Sequence, residues 1–392
     1  GYARERYADI DGAERWDLSA RLSADGGDPE EFLTDFRTLV QLDDRSESTP
    51  EMGETDVVDA SESPDDEDAP GERDEDDEDG AAAPSAAESS GGTGRTSRAV
   101  LTKRERIERA EESETFQTIA FRSAFDDLEV VAPETERRYA NVLRARGTIE
   151  DTERGIALRL LTVPDEDRSS FDPAVSDQIQ AWTRLAPTDG VVTVVDWGEN
   201  PQPWVATEYI EETLAARGRV DPRRALKEAR ALAATLVKIH QQKVVHGGID
   251  PKNVVYPANT IGGGRPMLDN VGLISPYRRQ FDPADYLDPR YAAPEYYDSQ
   301  YGGFDHATDI YQLGMVTYRL CTGRHPFDGS YASVRESVLG DRPPAPSEVV
   351  PALPSAVDEV VAKATAKQKL TRYETVNDFY HDLTRICKAV LE

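Results

Sequence analysis

The residues whose types and spacing could support chemistry are concentrated in the second half of the chain. One run, His246-Gly247-Gly248-Ile249-Asp250-Pro251-Lys252-Asn253, directly follows a helical pattern that ends near His240. A second run, Asn270-Val271-Gly272, follows a strand-like segment that ends on Asp269. Carboxylates can accept protons, and carboxylate and amide oxygens bind hard divalent cations. Each run alone is weak evidence for either chemistry.

Further motifs follow these two runs in order along the chain. They are Ala293-Pro294-Glu295, Asp309-Ile310-Tyr311-Gln312-Leu313-Gly314, Thr322-Gly323-Arg324-His325-Pro326-Phe327 and, near the end, Arg372. Upstream, Ile156-Ala157-Leu158-Arg159 and Thr207-Glu208-Tyr209-Ile210 occupy β-like segments. Six landmarks in a consistent order between His246 and Arg372 form a highly specific pattern.

The series resembles the motifs of the protein kinase superfamily, and it is most similar to microbial Ser/Thr kinases. The likeness extends over Phe125–Glu392. It implies an α+β, bilobal kinase-like fold, with a small β-rich N-lobe containing one helix and a larger α-helical C-lobe. The resemblance assigns structural roles to His246, Glu295, Asp309 and Arg372, and it implies a buried ion pair between Glu295 and Arg372.

The same resemblance implies that the catalytic positions have been replaced. Phosphoryl transfer depends on positioning and on cations around the phosphates. Arg159 stands where the family has a lysine, and Gln178 stands where it has the acid of the N-lobe helix. Gly248 replaces the catalytic aspartate, and Asn270 replaces the aspartate that holds Mg²⁺. No catalytic position is intact, so we interpret the chain as a pseudokinase.

The loop that covers the phosphates is also altered. The corresponding stretch, Ala132-Pro133-Glu134-Thr135-Glu136-Arg137, contains no glycine. A backbone without side chains is needed for close approach to phosphate, and proline removes an amide donor. The two glutamates would in addition repel the phosphates.

Parts of a nucleotide site are nevertheless implied by the resemblance. If a nucleotide binds, the expected contacts are Ala157, Arg159, Thr207, Glu208, Ile210, Asn253, Val255 and Asn270. Asn253 is a retained metal ligand, and Asp269 becomes one if the Asn270 motif is shifted by one residue. No cofactor is therefore required, and ATP with Mg²⁺ is expected to bind weakly or not at all.

Three functions remain open on these residues. The first is a pseudokinase that acts as a signalling scaffold or regulator and binds an unidentified protein partner. The second is a divergent active Ser/Thr kinase or nucleotidyl transferase that uses Arg159, Asp269 or Asp250 in unusual roles. The third is an interaction module whose adenine pocket is filled. Binding of ATP with Mg²⁺ separates the three.

The activation segment, from Asn270 to Glu295, contains several hydroxyl groups. They belong to Ser275, Tyr277, Tyr286 and Tyr291. Asp288 stands where Ser/Thr kinases usually carry a threonine. Nothing marks these hydroxyls as modification sites, so we expect them to pack within the domain.

The elements that must position these residues change character along the chain, from short β-like runs to long helical patterns. This order favours a small sheet lobe followed by a helical lobe. Predicted strands are Leu128–Val131, Asn141–Ala145, Ile156–Thr162, Val191–Trp197 and Trp204–Tyr209. Predicted helices are Asp172–Leu185, Pro222–His240, Thr308–Thr322, Ala356–Ala366 and Thr375–Leu391.

The remaining sequence divides into distinct segments. Residues 1–45 form an N-terminal helical segment with an amphipathic helix over 28–42, and they are expected to end an upstream region or to dock elsewhere on the protein. Residues 46–98 lack large apolar side chains and are expected to be a disordered acidic linker. Residues 99–124 predict a helix capped by Thr102 that runs to about Ser113 and leads into the domain. The N-lobe with its hinge then spans 125–210, and the C-lobe spans 211–392.

Charge is the strongest compositional feature. The formal net charge is −30, and the stretch from Glu51 to Gly80 holds sixteen acidic residues against Arg73. Lysines are few among the bases, nine against thirty-six arginines. Such a surface favours a protein adapted to high salt and disfavours nucleic acid or anionic membranes as partners. No apolar run reaches the ~20 residues that span a bilayer, so we expect a cytoplasmic protein, with an upstream membrane anchor left open.

Overall fold

The structure, a computed structural model, describes residues 102–133, 139–163, 168–185, 188–258, 264–279 and 281–391. The predicted N-terminal helix and acidic linker lie outside these residues. So does most of the glycine-free stretch, from 134 to 137.

A five-stranded antiparallel sheet forms the N-lobe, in the strand order β1-β2-β3-β5-β4. The strands are β1 (Asp127–Pro133), β2 (Ala140–Ile149), β3 (Thr152–Leu161), β4 (Val194–Gly198) and β5 (Trp204–Glu208). Glu150 and Asp151 connect β2 to β3 with φ values of 49° and 60°. Positive φ at both central residues matches the twist of a two-residue hairpin, and Asp tolerates it well. This hairpin sets the register that pairs Val142 with Arg159.

Two helices precede the sheet, whereas the sequence predicted one. Helix α1 (Lys103–Glu111) begins with a capping box between Thr102 and Glu105, as expected. Helix α2 (Glu114–Arg122) follows directly because Ser113 caps it. Its Phe116 and Ile119 are buried in a cluster with the N-lobe sheet. The Glu111 carboxylate also accepts the Val130 N–H of edge strand β1 at 2.9 Å, so the pair of helices belongs to the N-lobe.

One helix, α3 (Arg168–Leu185), is inserted between strands β3 and β4. Val175, Ile179 and Trp182 are fully buried at helical spacing. The indole N–H of Trp182 donates to the Val192 carbonyl at 3.0 Å. These contacts fix the helix against the inner side of the lobe.

Helices dominate the C-lobe, which also contains a small three-stranded sheet. The helices are α4 (Pro222–Gln241), α5 (Pro283–Tyr286), α6 (His306–Thr322), α7 (Tyr331–Gly340), α8 (Pro346–Val349), α9 (Ser355–Ala364) and α10 (Val376–Leu391). The small sheet has the order β6 (Glu212–Thr213), β7 (Val254–Tyr256) and β8 (Met267–Leu268). Helix α6 is buried along almost its whole length and therefore forms the centre of the lobe.

The two-lobed α+β architecture expected from the resemblance is confirmed. The five predicted strands and the five predicted helices are present, with bounds that differ by a few residues. The short strands β6 and β7 were not predicted, because two or three residues carry too little periodicity to be recognised. No helix of the described residues is long and apolar enough to cross a membrane.

Candidate functional site

A cleft that is open to solvent lies where β3, the segment after β5 and the small C-lobe sheet meet. Five residues expected around a nucleotide line it: Ala157, Arg159, Glu208, Ile210 and Val255. The cleft is the candidate ligand site because residues expected around a nucleotide converge on it.

Several residues of the cleft wall were not predicted from the sequence. These are Val142, Val192, Tyr209, Glu211 and Thr213. Tyr209, Glu211 and Thr213 lie within or just after the hinge motif, so their proximity to it was the available signal. Val142 reaches the cleft through its pairing with Arg159 across the sheet, which becomes visible only with the strand register.

Arg159 and Asp269 form a buried ion pair at the inner end of the cleft. Arg159 Nη2 lies 2.5 Å from Asp269 Oδ2, and the two side chains are 4% and 7% exposed. Arg159 also donates to Thr207 Oγ1 at 2.6 Å and to the Ala157 carbonyl at 3.4 Å. The Thr207 hydroxyl therefore accepts a hydrogen bond from Arg159, and Thr207 is not among the residues that line the cleft.

Gln178 of α3 lies against the turn that follows Asn270. Gly272 has φ of 78°, and a Cβ placed on it would come within 2.7 Å of Gln178 Oε1. The positive φ of this turn favours glycine, and a Cβ at this position would require the end of the Gln178 side chain to move. The charged partner of Arg159 comes from the C-lobe, while Gln178 packs on the turn.

One hydrogen bond joins two buried asparagines, Asn253 and Asn270. The Asn270 side-chain amide donates to Asn253 Oδ1 at 2.7 Å, and the Asn253 amide donates to the Gly248 carbonyl at 2.7 Å. Both residues are buried, and neither is among the residues that line the cleft. Their donors are committed to neighbouring protein groups. Within the described residues, Asn270 Oδ1 has no hydrogen-bond partner.

The backbone of the His246 loop is held by Asp309 at the start of α6. Its carboxylate accepts the N–H of His246 at 2.8 Å and that of Gly247 at 2.7 Å. Burial opposes ionisation of Asp309, but His240 at 2.8 Å and these N–H donors outweigh it, and its pKa lies below the ordinary value. Burial also lowers the pKa of His246, which favours its neutral form. These residues hold the shape of the loop.

Two glycines in this loop lie against apolar side chains. A Cβ on Gly247, where φ is 74°, would meet the Phe304 ring at 2.7 Å. A Cβ on Gly248 would meet Ile274 Cδ1 at 2.9 Å. Phe304 and Ile274 therefore occupy the space into which side chains at these positions would project.

Asp250 is the remaining carboxylate of the loop. Its Oδ1 accepts the N–H groups of Lys252 at 2.7 Å and Asn253 at 3.0 Å, which closes the turn. Burial raises its pKa, and the nearby Asp288 raises it further. Asp288 is itself paired with Arg290 at 2.7 Å. The Asp250 carboxylate therefore stabilises the turn, and its raised pKa makes it a stronger base than an ordinary aspartate.

The activation segment ends on an ion pair that lies deep in the C-lobe. Glu295 and Arg372 make two hydrogen bonds of 2.8 Å, and both side chains are fully buried. Arg372 also donates to the carbonyls of Ala307, Ala366 and Lys367. The pair joins the segment to the start of α6 and to the chain before α10.

A family model described as the protein kinase domain matches residues 139–377, more than half of the chain. The chain belongs to the protein kinase domain family. Serine/threonine-protein kinase PrkC of Bacillus subtilis is 28% identical over 260 residues, covering 62% of this chain and 38% of the relative. Serine/threonine-protein kinase PknB of Mycobacterium tuberculosis is 28% identical over 213 residues, covering 50% and 33%.

The solved PknI kinase domain of Mycobacterium tuberculosis has a similar fold. It is 21% identical, with a TM-score of 0.51, and the match covers 68% of this chain and 97% of that one. This likeness supports the two-lobed kinase fold. The chain spans 33% to 38% of the length of the PknB and PrkC relatives.

Mg²⁺, which the kinase family implies, fits these residues poorly. Mg²⁺ demands near-octahedral oxygen coordination and is usually held through one or two carboxylates. The Asp269 carboxylate is paired with Arg159, and its Oδ1 accepts the Asn270 N–H at 2.9 Å. Asn253 Oδ1 is bonded to Asn270, which leaves one neutral amide oxygen of the pair. The described residues contain no group of three or more His, Cys, Asp or Glu arranged to hold a metal.

Three tyrosines of the activation segment are buried. Tyr277, Tyr286 and Tyr291 are at most 4% exposed, and Ser275 is half-buried. Tyr291 contacts His325 Nδ1 at 3.0 Å, while the Tyr286 hydroxyl has no partner among the described residues. Their positions agree with packing within the domain.

Proposed function

We propose that this kinase-family domain is a pseudokinase, a signalling scaffold or regulator without efficient phosphotransfer. The Arg159–Asp269 ion pair is the observation that carries the proposal. A kinase uses a lysine to hold the phosphates and a separate aspartate to hold the metal. Here Arg159, at the lysine position, is paired with Asp269, the carboxylate next to the metal position at Asn270, so neither charge is free to bind Mg-ATP.

The absence of a catalytic base supports the same proposal. Gly248 has no side chain to accept a proton from a substrate hydroxyl, and Ile274 fills the adjacent space. Asp250 is two residues away, and its Oδ1 is occupied by two backbone N–H groups. Catalytic groups of an enzyme act as a unit, so losing several of them at once removes nearly all activity.

The cleft retains several of the residues that would contact a nucleotide. Ala157 and Val255 still supply apolar walls, and the hinge backbone at Glu208 and Ile210 borders the space. A nucleobase could bind there. Arg159 is the only cation among the described residues that line the cleft, and it is paired with Asp269. We therefore propose weak ATP binding that does not require Mg²⁺, and no required cofactor.

We propose a protein as the partner of the domain. A formal net charge of −30 disfavours nucleic acid and anionic membranes, because like charges repel. The domain architecture proposed from the sequence adds a linker at 46–98 and a helical segment at 1–45 on the N-terminal side. A partner with a basic surface would be attracted to the acidic stretch between Glu51 and Gly80.

A divergent active Ser/Thr kinase is the second candidate. The named relatives PrkC and PknB are Ser/Thr-protein kinases. Asp250 offers a carboxylate within the catalytic loop, and burial raises its pKa, which makes it a stronger base. Activity in this candidate would depend on Asp250 or Asp269.

Phosphotransfer assays test the proposal. With radiolabelled ATP, Mg²⁺ or Mn²⁺ and high salt, we expect neither autophosphorylation nor transfer to generic substrates. Gly248→Asp alone is expected to stay inactive, because Arg159 still occupies Asp269 and Asn270 still holds metal poorly. The triple variant Gly248→Asp, Asn270→Asp, Arg159→Lys is expected to show at most trace activity.

Turnover by the unmodified protein would decide for the second candidate if Asp250→Ala or Asp269→Ala abolished it. A titration of ATP with and without Mg²⁺ complements this assay. Tight, metal-dependent binding would contradict the pseudokinase proposal, whereas weak binding that is insensitive to Mg²⁺ would agree with it.

We also propose that the protein works in a cell with high internal salt, in the cytoplasm. Screening by salt reduces repulsion among the many carboxylates, so the folded state is expected to gain stability in molar KCl. Thermal melts over a series of KCl and NaCl concentrations measure this. A melting temperature that stays constant or falls with salt would remove the proposal.

A further inference from the structure

The activation segment sends one side chain across to the N-lobe. Tyr277 lies in a short 3-10 helix, Tyr277–Arg279, that follows the Asn270-Val271-Gly272 turn. Its hydroxyl donates toward two N-lobe backbone carbonyls, that of Thr162 at 2.9 Å and that of Tyr139 at 3.1 Å. These carbonyls lie at the end of β3 and just before β2. One hydroxyl therefore connects the C-lobe segment to both strands that border the cleft.

Aromatic packing surrounds the same tyrosine. The Tyr277 ring meets Phe171 of α3 edge-on at a centroid distance of 4.9 Å, and Tyr139 at 5.4 Å. Phe281, from its own segment, lies at 6.0 Å. Tyr277 is 2% exposed, and burial raises its pKa well above the ordinary value, so the hydroxyl keeps its proton. The residue is seated in a pocket made by N-lobe groups on several sides.

The next residue fastens the segment to the C-lobe. The Arg278 guanidinium lies 4.2 Å from the centre of the Phe304 ring. Phe304 packs edge-on against Tyr296 at 5.0 Å and fills the space beside Gly247. A cation over an aromatic face is attracted by the negative charge of the ring face. Consecutive side chains thus bind opposite lobes.

We propose that Tyr277 and Arg278 form a latch that holds the two lobes together and keeps the activation segment closed without phosphorylation. Ordinary kinases move their lobes and loops to admit nucleotide and release product. In this chain, opening the cleft by lobe motion requires the Tyr277 ring and hydroxyl to leave their pocket. The latch is independent of catalytic status, since its contacts involve none of the replaced catalytic side chains.

Hydrogen exchange measured on Tyr277→Phe tests the latch. This variant keeps the ring and its packing but removes the single hydroxyl proton that the two carbonyls share. Losing one typical hydrogen bond corresponds to about 5-fold in an equilibrium constant, so we expect up to about 5-fold faster local opening. We expect faster amide exchange in three places together: the start of β2, the end of β3, and 270–279.

Tyr286→Phe is the matched control. Tyr286 lies in the same segment and is buried, but its hydroxyl has no hydrogen-bond partner among the described residues. Its substitution is expected to leave exchange at β2 and β3 unchanged. Equal effects of the two variants, or no acceleration in Tyr277→Phe, would overturn the proposal. Faster exchange confined to 270–279 would also overturn it, because a latch must release both lobes.

Discussion

Replacing Glu295 with alanine is expected to lower the free energy of unfolding by roughly 3–5 kcal/mol. The substitution leaves the Arg372 guanidinium buried without its counter-ion, and stranded charge is costly in an apolar interior. It also removes the acceptor of the Thr308 hydroxyl, which lies 2.8 Å from Glu295 Oε1. Chemical denaturation at fixed high salt measures the change. Because three backbone carbonyls still accept from Arg372, the loss should fall near the lower end of this range.

Glu336→Ala provides the control for this measurement. It makes the same chemical change on the exposed surface of α7 and should alter stability by less than ~0.5 kcal/mol. Glu295→Gln keeps the shape and should cost less than alanine. If Glu295→Ala behaves like Glu336→Ala, the pair does not stabilise the C-lobe in the way that its burial suggests.

Arg159→Met is the second substitution with a large expected effect. It leaves the Asp269 carboxylate, 7% exposed, with one backbone N–H donor and no cation beside it. Removing one partner of a buried ion pair lowers stability by roughly 3–5 kcal/mol. We expect a loss of this size in equilibrium unfolding. The result is informative because a lysine or arginine whose only task is to bind phosphate would be dispensable for folding.

A double-mutant cycle separates the pair from its surroundings. Asp269→Asn removes the charge and keeps the acceptor for the Asn270 N–H. Added to Arg159→Met, it should recover most of the lost stability, because neither partner then carries a buried charge. Additive losses, with no recovery in the double variant, would mean that Arg159 and Asp269 do not act as a pair.

Much of the fold could be predicted because its signals are local. The capping box at Thr102, the helical patterns of α4 and α10, and the β-like runs within β2 and β3 each depend on neighbouring residues. Helix α2 escaped prediction because it begins directly at the end of α1, where Ser113 both ends one pattern and caps the next. The short strands β6 and β7 are defined by hydrogen bonds to neighbouring strands, so their own residues carry little sequence signal for a strand.

The residues of the candidate site could likewise be predicted only in part. Ala157, Arg159, Glu208, Ile210 and Val255 line the cleft as the resemblance suggested. Thr207, Asn253 and Asn270 were expected beside them but are turned to protein partners. A motif identifies a position along the chain, whereas the direction of its hydrogen bonds depends on what other elements place nearby.

By itself, the sequence determined the order of the landmarks and the side chains that are missing. Gly248 cannot accept a proton in any fold, and the acidic charge is a property of composition. Only the tertiary structure decided which groups meet. Arg159 lies 110 residues from Asp269, and Tyr277 lies 138 residues from Tyr139. Such contacts depend on how strands, helices and turns pack around one cleft, and residue type alone carries no information about that geometry.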